Sequence, residues 1–71
     1  MTVPRDVPIR EPTIRLGQLL KLAGLADSGS DAQALVRGGA VTVNGELDTR
    51  RGRRLRRGDL VAVGEETLRV A

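Results

Sequence analysis

Seventy-one residues with no cysteine, histidine or aromatic side chain exclude a disulfide framework, the usual Cys/His zinc sites and the aromatic platforms on which single-strand binders stack bases. The net charge of +3 is modest, yet Asp48–Asp59 holds six arginines against two aspartates, so this stretch is +4 and the rest of the chain sums to −1. A local basic patch on a nearly neutral body is the footprint of a surface that docks on a polyanion.

In chain order, residues 1–12 (MTVPRDVPIREP) hold all three prolines, which lack an amide donor. An extended or mobile N-terminal arm is expected there, part of it joining Ile14 in an edge strand, with one domain over 13–71. No run approaches the ~20 apolar residues that span a bilayer, and the first ten residues contain no apolar stretch. The expectation is a cytoplasmic protein with no membrane partner.

Leu16, Leu19, Leu20 and Ala23 recur at helical spacing, predicting a short helix with Gly17 as N-cap, Gly24 as stop and Leu22 widening the buried face. Lys21 should point outward. Ser28 with Asp31 three residues on resembles a capping box opening a second helix. Its stripe is Ala32, Leu35 and Val36, and Gly38-Gly39 ends it. Arg37 lies in the last turn, as a complement to the helix dipole or as a ligand group. The pattern then changes to period two: Val41 and Val43 share one face, Thr42 takes the other, and Asn44-Gly45 signals a hairpin. LVAVG and TLRVA, flanking Glu65-Glu66, predict a second hairpin. Together these predict an α+β fold, two short helices packed on a small, mainly antiparallel sheet of three to five strands.

The arginine stretch, TRRGRRLRRGD, is a poor helix because Gly52 interrupts it and Gly58-Asp59 ends it. A turn at Gly52 followed by a short extended piece is expected, with Leu55 buried as an anchor worth about 1.5–3 kcal/mol. Like charges at this density repel one another, which favours a bound polyanion over a solvated loop.

IRLGQLLKLAGLADSGSDAQALVRGGAVTVNGE, followed by ELDTRRGRRLRRGDLV, resembles the S-four RNA-binding domain, in its small stand-alone bacterial subfamily. The resemblance runs from about Ile14 to Val63 and implies the alpha-L arrangement of that domain. It also implies RNA contacts from Arg15 and the start of the second helix around Ser28, with Arg37, Thr42 and Asn44 bordering them. Thr49-Arg50-Arg51-Gly52-Arg53-Arg54 would carry the basic face. Gly29 stands where many such domains have arginine, and Arg57 where proline is common.

On the charge pattern, Arg50, Arg51, Arg53 and Arg54 should neutralise phosphates while Arg15, Lys21 and Arg37 extend the patch. The expected ligand is structured RNA, ribosomal or transfer, bound by a monomer with no cofactor or metal. The phosphate-reading surface also leaves DNA open as a ligand. Ribosomal or RNA-processing proteins are further partners, and docking on an acidic protein is the alternative function. Catalysis is not expected, since Ser28 and Ser30 have no histidine to activate them.

Overall fold

Leucines at helical spacing followed by alternating valines give the chain two kinds of apolar face, and the architecture is the way these close on each other. The computed structural model describes residues 3–71. In chain order it contains β1 (Arg5–Val7), β2 (Thr13–Arg15), α1 (Leu16–Leu22), α2 (Gly29–Arg37), β3 (Val41–Val43), β4 (Glu46–Leu47), β5 (Arg54–Arg56), β6 (Leu60–Val63) and β7 (Glu66–Val70). Five strands form one sheet in the order β1-β7-β6-β3-β4, and β2 with β5 makes a separate two-stranded ribbon. This is the α+β fold expected, two helices on a mainly antiparallel sheet.

The core joins both patterns. Leu16, Leu19 and Leu20 of α1 and Ala32 and Val36 of α2 pack with Val41, Val43, Val61, Leu68 and Val70 of the sheet, all essentially inaccessible to water. Leu35 contributes only partly, and Leu22 is exposed. Leu22 therefore does not widen the buried face of α1. Gly17 is not the N-cap either: Arg15 takes that place, its N–H donating to Gln18 Oε1 at 3.3 Å. In α2, Ser28 caps as predicted, its Oγ accepting from the Asp31 N–H at 3.2 Å.

The hairpin signal at Asn44-Gly45 is realised between β3 and β4, with positive φ at both residues (52° and 86°), the left-handed pair a two-residue turn of this type requires. Glu65 lies in the turn that joins β6 to β7, the second predicted hairpin.

The segment read as an N-terminal arm lies along the sheet from Arg5 onward; Met1 and Thr2 fall outside the described residues. β1 pairs in parallel with β7, and the zipper continues through Ala71 N–H to Val7 O and Ile9 N–H to Ala71 O. Val7 is buried in the core, so the packed unit begins ahead of residue 13. Proline restricts a chain to sheet edges, and an edge is where this segment sits.

Candidate nucleic-acid interface

Two devices hold the arginine stretch in place. The first is apolar: Leu55 is fully buried, and its register partner across the ribbon is Ile14. Alternation along three-residue strands then turns Arg54 and Arg56 of β5, with Thr13 and Arg15 of β2, to the opposite, outward face. The second is ionic. Asp48, the buried charged residue among those described, accepts from the Arg50 backbone N–H (2.8 Å), Arg50 Nε (3.2 Å) and NH2 (3.0 Å), and Arg53 NH1 (2.9 Å). The Arg50 guanidinium, with help from Arg53 and the Arg50 backbone N–H, holds this carboxyl far below the ordinary carboxylate range despite the opposing effect of burial. The Arg50 side chain nevertheless remains 73% exposed, whereas that of Arg53 is 29% exposed. Arg53 is thus spent largely on structure.

Between these anchors the turn at Arg51-Gly52 rises against the helices. The Gly17 N–H donates to Arg51 O at 2.9 Å, and Leu16 N–H to Arg53 O at 2.8 Å. Arg51 crosses over Gly17 so closely that a Cβ there would lie 2.6 Å from Arg51 Cγ. Its guanidinium reaches Gln33 Oε1 of α2 at 3.4 Å. The result is a groove of about 280 Å³ lined by Arg15, Gln18 and Lys21 of the α1 segment, Gly29 of α2, and Arg51-Gly52, with Gly17 and Ala32 at its floor. Three cations face this depression, and the Arg51 side chain lies across Gly17 and reaches toward Gly29, covering part of its glycine lining.

The groove brings together Arg15, Lys21 and Arg51, and Ser28 adjoins it through Gly29. The Ser28 hydroxyl already serves as a cap. Arg54 stands beside the groove as the register partner of Arg15. Arg37 is placed elsewhere, exposed at the far end of α2, about 12 Å along the helix from Gly29. Thr42 lies half-buried on the outer face of the sheet, between Leu47 and Ala62. Asn44 joins two turns: its Oδ1 accepts from the Leu60 N–H at 2.9 Å and its Nδ2 donates to Asp59 Oδ1 at 3.2 Å. The other Asp59 oxygen accepts from the Arg56 N–H at 2.8 Å. That backbone hydrogen bond, with Asn44 and the nearby arginine charges, lowers the Asp59 pKa. Arg57 turns away to the Ile9 carbonyl at 2.7 Å.

Sequence reasoning missed Asp48, Gly17 and Gln18. Asp48 registered only as one negative charge subtracted from the patch. The signal for its role is local: a carboxylate two residues before an arginine accepts from that residue's own N–H.

The fold defines a helix-pair-and-sheet module with a basic groove at the start of its helices. A family described as the S4 domain matches residues 7–71, and this chain belongs to it. Over 57 residues the chain is 44% identical to the probable ribosome maturation protein RlbA of Bacillus subtilis (strain 168), the match covering 80% of each chain. The solution structure of YbcJ from E. coli, which reveals an ALFAL motif involved in RNA-binding, superposes over 100% of this chain and 91% of that one, with a TM-score of 0.73 at 28% identity. The 30S ribosomal protein S4e of Thermoplasma acidophilum shares the fold alone: TM-score 0.64, 19% identity, 84% of this chain and 32% of that one. Among the described residues no helix is long and apolar enough to cross a membrane.

Proposed function

We propose that this chain is a non-enzymatic RNA-binding module that recognises structured RNA by phosphate and shape. The groove carries the reading: Arg15, Lys21 and Arg51 converge on one depression, and no aromatic side chain exists to stack on a splayed base. The A-form major groove is too narrow for side chains to read, so phosphates and 2′-hydroxyls remain as the accessible features of paired RNA. RNA-binding in YbcJ and the ribosome maturation name of RlbA support ribosomal RNA as the target class, with transfer RNA next and a cytoplasmic setting in either case.

The test is Lys21→Ala with Arg51→Ala, measured by fluorescence anisotropy on a structured RNA hairpin across a salt series. Each lost phosphate contact lowers the slope of log affinity against log salt by about 0.7–0.9, so a decrease of about 1.4–1.8 and at least tenfold weaker binding at low salt are expected. Wild-type affinity and slope in the folded double variant would overturn the reading. Replacing Arg50 and Arg53 would be a poorer test, because both hold Asp48.

A further inference from the structure

The register of the β2–β5 ribbon is unusual in its charge. Thr13 pairs with Arg56, Ile14 with Leu55 and Arg15 with Arg54. Two arginines directly opposite on the exposed face of an antiparallel pair have Cβ atoms about 4.5–5.5 Å apart, and like charges so placed repel. Arg56 follows two positions along on the same face. Among the described residues the ion pairs are Asp48 with Arg50 and Arg53, and Asp6 with Arg69, so none of these three ribbon arginines is neutralised by a salt bridge. The nearby acids offset this repulsion only in part: Asp59 accepts from Asn44 and the Arg56 N–H and also feels the Arg56 charge, and Glu11 lines the ribbon cleft with Arg15 and Arg54.

A second cleft opens on this ribbon, lined by Glu11, Pro12, Thr13, Ile14, Arg15, Gln18 and Arg54. Arg15 and Gln18 also line the groove between the helices. The two depressions are therefore neighbours across one shared pair of side chains, which leaves a path from the first into the second.

We propose that the outward face of the ribbon, through Arg15, Arg54 and Arg56, binds the length of ribose–phosphate backbone that continues out of the helix groove. One RNA strand then passes over Arg51 and Lys21, is gripped at the shared Arg15, and lies along Arg54 and Arg56. This rests on the RNA-binding reading and extends it: the bound element is a strand several phosphates long, and Arg56 joins the surface. Repulsion across the ribbon is relieved when phosphates insert between the arginines.

The experiment compares Arg54→Gln/Arg56→Gln with Lys21→Ala/Arg51→Ala on the same RNA hairpin over a salt series, alongside thermal melts. The ribbon variant is expected to lose about 1.4–1.8 from the salt slope and to bind at least tenfold more weakly at low salt. Its melting temperature should equal or exceed that of the wild type. Arg54→Lys/Arg56→Lys, which keeps the charge, should keep the slope.

A wild-type slope in the glutamine variant, with weakened binding in the groove variant, would overturn the ribbon proposal and leave RNA binding standing. A slope lost equally in the lysine variant would also overturn it, by showing that the loss is structural. Binding indifferent to the groove variant, or no binding by the wild type, would remove the RNA reading and the ribbon with it.

Discussion

Asp48 is the residue on which the basic loop depends. Its buried carboxylate is satisfied entirely by donors from Arg50 and Arg53, so removing it frees two guanidinium groups and leaves the loop without its ionic anchor. Asp48→Asn should cost about 1–3 kcal/mol in a denaturant titration, the range for a charged hydrogen-bonding group lost from a buried site. The pH dependence has a definite sign. The folded carboxyl titrates below its unfolded value of about 3.9, so its stabilisation is complete above that pH and is lost as pH falls through the folded value. Asp6, through its bond to Arg69, and Asp59 are shifted the same way. Melting curves should be flat from pH 7 to about 5 and decline below about pH 4, and Asp48→Asn should make that decline shallower. Gly17 separates stability from binding. Alanine there gains about 0.5–1 kcal/mol of helix preference, but its Cβ would meet Arg51 Cγ at 2.6 Å. Gly17→Ala should change the melting temperature little while weakening RNA binding several-fold, as the displaced Arg51 leaves the groove; a wild-type affinity would show that the close approach has no bearing on binding.

At the scale of elements, helices and hairpins were legible because their signals are local. Leucines at helical spacing, Ser28 ahead of Asp31, and Asn44-Gly45 each act within a few residues, and the buried set in α1 and α2 follows from them. Leu55 was legible as an anchor because an apolar residue among arginines has one favourable place to go. What was not legible depends on partners far apart in the chain. A strand at Ile14 and an extended piece around Leu55 were expected, but not the pairing of residues 13–15 with 54–56, because three-residue strands give too short a pattern to reveal a partner. The parallel β1–β7 pairing joins residues about as far apart as the chain allows, behind prolines that suggest a free arm. The charge pattern likewise assigned phosphates to Arg50, Arg51, Arg53 and Arg54 alike and gave Arg57 no role, whereas Asp48 withdraws Arg53 into structure and the Ile9 carbonyl takes Arg57. Asn44 illustrates the same limit. Resemblance placed it beside the RNA surface, while its amide ties the β3–β4 turn to Asp59 and Leu60. Asn44→Gly keeps the positive φ and removes both bonds. A loss of about 1–2 kcal/mol is expected in urea, with RNA affinity of the folded protein unchanged; weakened binding at wild-type stability would make Asn44 a contact residue instead.

For the molecule as a whole, the same charges act on folding and on binding with opposite salt dependence. The small domain concentrates its positive charge on one loop and ribbon, where Arg15, Arg54 and Arg56 lie on a single face, and net self-repulsion of that kind works against the compact state. Salt screens exposed charges over about 10 Å at 0.1 M and 3 Å at 1 M. It should therefore relieve the repulsion, and the buried side of the Asp48 cluster is screened much less. The exposed Arg69–Asp6 pair loses strength under the same conditions, but one surface pair contributes little. Raising sodium chloride from about 10 mM to about 0.3 M should thus stabilise the free protein by about 0.5–1 kcal/mol, while RNA affinity falls steeply because each phosphate contact releases counterion. A bound polyanion replaces salt in the first role and does so more strongly: RNA at a hundred times its Kd adds about 2.7 kcal/mol. In a domain of this size that corresponds to a rise in melting temperature of roughly 10–20 °C. Melts with and without RNA at the two salt concentrations check both signs at once. Free protein destabilised by added salt, or RNA stabilisation that survives at high salt undiminished, would mean that the arginine surface is not the feature that governs folding and binding together.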